Sequence, residues 1–204
     1  MSTRTLAVVT AGLSTPSSTR LLADRLSTAA VTALGERGVT ATVEVVELRE
    51  HARDLADNLL TGFPNATLRA AVETVVGADG LIAVTPIFSG SYSGLFKTFF
   101  DVLDTDALAG KPVLLGATAG TPRHSLALEH ALRPLFAYLR SVVLPTAVFA
   151  AADDWAGGGD RALSDRITRA AGELADLVTR APGAAPVDPY GDPTTSFGDL
   201  LRGR

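Results

Sequence analysis

The stretch GLIAVTPIFSGSYSGLFKTFFDVLD, from Gly80 to Asp104, holds the two patterns that decide the fold. Residues 80–85 form a short apolar run of the kind found in strands that are buried on both faces of a parallel sheet. The stretch ends in a helical pattern whose inward face is Phe96, Phe99, Phe100 and Leu103. A buried strand followed closely by a helix is the repeating unit of an α/β sheet.

The same unit recurs along the chain. Residues 5–10 (TLAVVT) and 112–118 (PVLLGAT) are further buried-strand patterns, residues 40–48 suit an edge strand, and residues 142–150 carry Pro145, which favours an edge or a bulge. Apolar helical stripes lie between them, at residues 22–33, 66–77, 128–139 (with Pro134 as a predicted kink) and 163–177. Five alternations predict a doubly wound, five-stranded parallel sheet in a three-layer α/β/α domain over residues 1–181. Residues 182–204 form a Pro/Gly-rich C-terminal tail outside this pattern.

Composition excludes several classes of protein. The 204 residues include no cysteine, so disulfides and thiolate chemistry are absent. The net charge of −4, with both signs mixed along the chain, argues against a nucleic-acid surface and against a strongly acidic electron carrier. No apolar run approaches the ~20 residues of a membrane span, and no secretory pattern is visible, so we expect a soluble cytoplasmic protein.

The first candidate binding loop, residues 11–19, follows the first strand. Ligands of open parallel sheets bind beyond the carboxyl ends of the strands. A helix start with several hydroxyls suits a phosphate, because its N–H groups are unpaired and the helix dipole is positive there. A simple helix cap is the alternative, but a cap needs only one hydroxyl. Neither GxxxxGK[ST] nor GxGxxG is present. The predicted phosphate contacts are Ser14, Thr15, Ser17, Ser18 and Thr19.

Two further loops predict contacts to a flat heteroaromatic ring. In residues 86–93, a glycine permits close approach and small polar groups surround two aromatics, although the aromatics alone could simply cover the edge of the core. The third loop follows the strand at 112–118. A phosphate loop and a ring-shaped loop together fit flavin mononucleotide (FMN) at the point where strand order reverses. The predicted ring contacts are Pro86, Ile87, Phe88, Ser89, Gly90, Ser91, Tyr92, Thr118, Ala119, Gly120, Thr121 and His124.

These motifs resemble those of the NADPH-dependent FMN reductases, a flavodoxin-like family, over roughly residues 6–150. The most specific part of this resemblance is a motif from Pro86 to Asp101, in which the matching positions are Pro86, Ser89, Gly90, Ser91, Gly94, Lys97 and Asp101. Gly110-Lys111-Pro112-Val113, with Ala119-Gly120-Thr121 after it, resembles a further signature. In the first loop Ser14 stands where the family commonly has an arginine, which removes a bidentate phosphate partner.

The resemblance implies the chemistry and the partners. NADPH or NADH would pass a hydride to FMN, in a branch of the family that supplies reduced flavin to luciferase-like monooxygenases, and the protein would form a homodimer or tetramer. The alternatives are an FMN-containing quinone or azo reductase and a flavodoxin-like electron carrier. We predict no catalytic side chain and no metal site, since the chemistry belongs to the cofactor.

Four smaller predictions concern side chains outside the loops. His51 is expected in a surface segment and His130 on a helix face. Lys97 and Asp101 are spaced i,i+4 and are expected to form a structural pair. Leu95 and Val102 lie off the inward face of their helix, which predicts a subunit contact there, with Tyr92 or the tail reaching toward the partner.

Overall fold

A computed structural model describes residues 3–155 and 160–181, so the predicted tail at 182–204 lies outside the described residues. The strands are β1 (Thr3–Thr10), β2 (Thr40–Glu47), β3 (Gly80–Phe88), β4 (Ser91–Tyr92), β5 (Pro112–Ala119), β6 (Val142–Val143) and β7 (Val148–Ala151). The α-helices are α1 (Ser18–Glu36), α2 (Ala52–Thr61), α3 (Ala66–Gly77), α4 (Gly94–Asp101), α5 (Arg133–Tyr138) and α6 (Asp160–Arg180).

The main sheet is parallel and has five strand positions in the order β2-β1-β3-β5, followed by β6 and β7 beside β5. In its centre Val8 pairs with Val45 of β2 on one side and with Ile82 of β3 on the other. The chain passes from β1 to β2 in one direction and then to β3 in the other, so strand order reverses between β1 and β3. This 2-1-3-4-5 order is that of the flavodoxin-like folds, which confirms the predicted fold class.

Helices cover both faces of the sheet and divide the core in two. Leu6, Val8 and Ile82 point toward α1 and α6, and the alternate residues Ala7, Val9 and Leu81 point toward α3, α4 and α5. This alternation follows from the two-residue period of a strand. The predicted inward face of α4 is confirmed, since its three phenylalanines and Leu103 are buried.

Two predicted strand regions differ in detail. The fifth strand is broken at Pro145 into β6 and β7, because proline has no N–H to donate to a ladder. The strand predicted to end at Thr85 continues to Phe88 and returns as β4, so much of the predicted loop is a β-hairpin. Its two turn residues, Ser89 and Gly90, have φ of 50° and 85°. Positive φ at both central positions is the signature of the hairpin turn that matches strand twist.

Helical segments also depart from the sequence pattern. Helix α2 was not predicted, because its buried face comprises only Leu55 and Asn58, while Leu59 and Leu60 are exposed. The stripe predicted at 128–139 is a π-helical turn at Leu128–Leu132 followed by α5. Pro134 lies just after this turn and cannot donate to the carbonyl one turn back, so the helix changes register there, as the predicted kink anticipated.

Candidate functional site

The three predicted loops meet in one cleft at the carboxyl ends of β1, β3 and β5. Its volume is about 270 Å³. The cleft lies where the strand order reverses, which is the position at which open α/β sheets bind ligands. Its lining residues are Gly12, Leu13, Ser14, Ser17, Ser18, Thr19, Pro86, Ile87, Phe88, Thr118, Ala119 and Gly120.

The first loop wraps the start of α1. Ser17 is the N-cap, and its Oγ accepts the N–H of Arg20 at 3.2 Å. A Cβ built on Gly12 would lie 2.0 Å from Ser17 Oγ and 3.2 Å from Thr19 Cβ. Only glycine lets the loop close so tightly over the helix start. Gly12 and Leu13 were not among the predicted contacts. A glycine placed directly after a buried strand and before a hydroxyl-rich helix start was the signal for Gly12.

The hydroxyl of Thr19, a predicted phosphate contact, forms a hydrogen bond within the protein. The hydroxyls of Thr19 and Thr118 lie 2.8 Å apart and both residues are buried. This bond ties the start of α1 to the end of β5, so it closes the cleft between the first and third loops. Thr15 does not line the cleft, and its hydroxyl accepts a hydrogen bond from Arg49 instead.

The second loop is organised by Thr85. The Thr85 hydroxyl donates to Pro86 O at 2.9 Å and accepts the N–H of Ser93 at 3.1 Å. Ser93 in turn caps α4 by accepting the N–H of Phe96. A buried hydroxyl therefore joins the strand end to the next helix start and sets where the hairpin leaves the sheet.

The hairpin divides the predicted ring contacts into two groups. Pro86, Ile87 and the half-exposed Phe88 line the cleft. The turn and the returning strand do not: Gly90 is exposed with open space around it, and the ring of Tyr92 lies 6.0 Å from that of Phe96. Four predicted ring contacts of this loop do not line the cleft: Ser89, Gly90, Ser91 and Tyr92.

The third loop contributes its first residues to the lining. Thr118, Ala119 and Gly120 line the cleft. Thr121 caps a short 3₁₀ turn by accepting the N–H of Arg123, and His124 ends that turn, exposed and outside the lining.

Other predicted side chains lie away from the cleft. Lys97 and Asp101 form the expected ion pair on α4, and His130 is exposed on the π-helical turn. His51 lies in the turn just before α2, next to the exposed Glu50 and Ala52, but its own side chain is only 12% exposed. Among residues 3–155 and 160–181, no cluster of His, Asp or Glu could hold a metal ion, and no helix is long and apolar enough to cross a bilayer.

Charge beside the cleft is concentrated in one network. Arg20 pairs with Asp24 at 2.7 Å and also with Glu47, which pairs with Arg49 at 3.0 Å. The hydrogen bond that Arg20 donates to Asp24 raises the pKa of Arg20, and Glu47 adds to the effect. Arg20, at the start of α1 beside the cleft, is therefore already held by two carboxylates.

A larger cavity of about 440 Å³ lies between α1 and α6. Residues of these two helices line it, among them Asp24, Arg25 and Ile167. It lies on one face of the sheet and not at the strand ends, so the topological argument for a ligand does not apply to it.

Comparison with known proteins agrees with this geometry. The chain is 38% identical over 149 residues to an FMN reductase (NADPH) of Pseudomonas aeruginosa, covering 72% of this chain and 76% of the relative. It is 43% identical over 112 residues to an NADH-dependent FMN reductase of Pseudomonas fluorescens, covering 55% of this chain and 60% of that protein.

A solved oxidoreductase from Corynebacterium diphtheriae superposes with a TM-score of 0.86 at 49% identity, covering 89% of this chain and all of the other. The model of the family described as NADPH-dependent FMN reductase matches residues 4–156, which include all three loops of the cleft. The chain belongs to the NADPH-dependent FMN reductase family.

Proposed function

We propose that this protein is an NAD(P)H-dependent FMN reductase, in which NADPH or NADH reduces FMN held in the cleft. The observation that carries the proposal is the convergence of three strand-end loops on one cleft, with a hydroxyl-rich helix start on one side and apolar residues on the other. The names of the relatives support it, since they are described as reductases of FMN with NADPH or with NADH.

The residues of the cleft suit the parts of FMN. Ser14, Ser17 and Ser18 place hydroxyls around the first turn of α1, where unpaired N–H groups and the helix dipole favour a phosphate. The close approach of Gly12 to Ser17 shapes this cradle, because any Cβ there would occupy it. The apolar side of the cleft, formed by Pro86, Ile87 and Phe88, suits the flavin ring.

The chain's own contribution is positioning. When bound, FMN would supply the ring that accepts the hydride. The Thr85 and Thr19–Thr118 hydrogen bonds hold the three loops in one arrangement, which orients whatever lies between them. Leu13 and Phe88 are exposed at the cleft, where they can cover the reacting rings and exclude water. The lining residues of the described structure carry no ionisable side chain, so we assign no acid or base.

A paired binding experiment tests the phosphate position. Replacing Ser14 and Ser18 together with Ala removes two exposed cleft hydroxyls without removing the Ser17 cap or the Thr19–Thr118 bond. FMN affinity should fall by about 10-fold, since each hydroxyl contributes roughly 0.5–1.5 kcal/mol. Riboflavin, which lacks the phosphate, should be almost unaffected. The matched control is Ser125→Ala, at an exposed position outside the cleft. Equal losses for both flavins would contradict the assignment.

Steady-state oxidation of NADPH and NADH tests the activity itself. FMN, FAD, riboflavin and a quinone are offered as separate acceptors. A flavin reductase oxidises the nucleotide with free FMN; an electron carrier oxidises neither nucleotide appreciably; a quinone or azo reductase prefers the quinone.

We also propose that the protein is cytoplasmic, that it forms a homodimer or tetramer, and that it supplies reduced flavin to a luciferase-like monooxygenase. Leu95 and Val102, on which the predicted subunit contact rested, are partly buried against the core of their own chain. Among the described residues, the large apolar side chains with the greatest exposure are Leu60 (86%) and Phe63 (79%), at and just after the end of α2, and these support a subunit contact there. Analytical ultracentrifugation decides the matter, because a single species near 21.1 kDa would exclude a homodimer or tetramer.

A further inference from the structure

The cleft that would hold the phosphate is itself neutral. Among its described lining residues none carries a charged side chain. A phosphate monoester carries close to two negative charges at neutral pH. The neutral hydroxyls and the start of α1 offset only part of that charge, since a helix end is equivalent to roughly half an elementary charge. A full positive charge would have to reach the ligand from beside the cleft.

Two arginines flank the first loop, and their surroundings differ. Arg20 donates from Nε to Asp24 at 2.7 Å and from Nη1 to Glu47, so two carboxylates hold it. Within residues 3–155 and 160–181, Arg49 pairs with one carboxylate, that of Glu47, through Nε at 3.0 Å. Its Nη1 donates to the hydroxyl of Thr15, within the first loop itself.

Strand register brings Arg49 to this place. Glu47 is the partner of Thr10 in the parallel β1–β2 ladder, so β2 ends level with β1 at the ligand edge of the sheet. Arg49 follows two residues later and is a third exposed. Glu47 therefore anchors the Arg49 guanidinium beside the loop, and Thr15 marks the point at which it reaches the loop.

We propose that Arg49 supplies the positive charge that binds the FMN phosphate, from the connection after β2 and not from the phosphate loop. This inference rests on the proposed function. The described lining of the cleft contributes no cation, so the guanidinium is delivered from a neighbouring strand end. A guanidinium suits this role because its planar fork matches phosphate oxygens.

Flavin fluorescence quenching tests the proposal on the full chain, with FMN and riboflavin as the two probes. Arg49→Gln should weaken FMN binding about 10-fold or more, since charge-assisted hydrogen bonds are the strong ones, and change riboflavin binding less than about twofold. It should also reduce the salt dependence of FMN binding, because one phosphate–cation contact is lost. Arg49→Lys should retain part of the affinity, because it keeps the charge but not the fork.

The matched control is Arg53→Gln, which removes the same charge from an exposed position in the first turn of α2. It should leave both affinities unchanged within about twofold. If Arg49 only braces the loop, Arg49→Gln weakens both flavins alike or neither, and the proposal is overturned.

The wild-type protein separates this proposal from the proposed function. A wild-type protein that binds FMN and riboflavin equally well overturns the phosphate cradle and this inference together. A wild-type preference for FMN that survives intact in Arg49→Gln overturns this inference alone.

Discussion

Gly12→Ala should lower both the stability of the protein and its affinity for FMN. The added Cβ would lie 2.0 Å from Ser17 Oγ, 3.1 Å from Ser17 Cβ and 3.2 Å from Thr19 Cβ. The Ser17 hydroxyl can rotate away, but the two Cβ atoms cannot without moving the backbone. The substitution therefore breaks the Ser17 cap on the Arg20 N–H and pushes the loop away from the start of α1.

The magnitude follows from these two effects. Loss of a serine N-cap costs about 1 kcal/mol, within a range of roughly 0.5–2. In a chain of this size that corresponds to a fall in Tm of about 2–4 °C. A hydrogen bond to a charged group contributes about 1.5–3 kcal/mol, so loss of the Ser17 contact to the phosphate should weaken FMN binding by roughly 10- to 100-fold.

Isothermal titration with FMN and riboflavin, together with thermal unfolding, measures both effects. The control is Gly35→Ala near the other end of α1, where a Cβ would meet nothing within 4 Å. It should leave FMN affinity unchanged and raise stability by up to about 1 kcal/mol. FMN affinity that is unchanged in Gly12→Ala would refute the reasoning, since the cradle would then not depend on the close approach to Ser17.

Three further predictions concern the framework around the cleft. Thr85→Val should lower the unfolding free energy by about 1–3 kcal/mol in urea titrations, because it leaves the buried Ser93 N–H without its 3.1 Å acceptor, and Thr85→Ser should not. Gly90→Val should weaken flavin binding, because φ is 85° at this position and a β-branched residue there would distort the hairpin. Gly90→Asn should preserve flavin binding, since asparagine tolerates positive φ. If both variants bind flavin as tightly as the wild-type protein, the turn does not influence the cleft. The Lys111 ammonium donates to Val76 O at 3.1 Å, and its burial lowers its pKa below 10.5. Just below pH 10.5 the unfolded chain therefore binds more protons at Lys111 than the folded chain does. The unfolding free energy of the wild-type protein should fall as pH drops from 10.5, and it should level off once Lys111 is protonated in the folded state as well. Lys111→Met should lack this pH dependence.

Much of the fold followed from local pattern, for a physical reason. The strands at residues 5–10, 80–85 and 112–118 are buried on both faces, and that burial requires an almost continuous apolar run. The five predicted helical stripes coincide with helical segments, because the buried face of an amphipathic helix repeats its apolar residues every three or four positions. Helix α2 was missed because it is short and buries only Leu55 among its apolar side chains, so it lacks the extended buried stripe that marked the other helices.

The candidate site could be predicted in part. Placing the loops at the strand ends required only the alternation of strand and helix, and the Ser17 cap required only residues three apart. The hairpin at Ser89 and Gly90 was taken for a loop, since Ser-Gly is a weaker turn signal than Asn-Gly or Asp-Gly.

The sequence by itself therefore determined the sheet, the helices and the strand ends at which ligand loops lie, because these depend on burial periods and local capping. Only the tertiary structure decided which hydroxyls remain available and which cation reaches the loop. Thr19 is committed to Thr118, 99 positions away, and Arg49 reaches Thr15 across 34 positions. Such contacts depend on strand register and on the packing of α1 against the sheet. They join residues whose spacing along the chain carries no periodic signal.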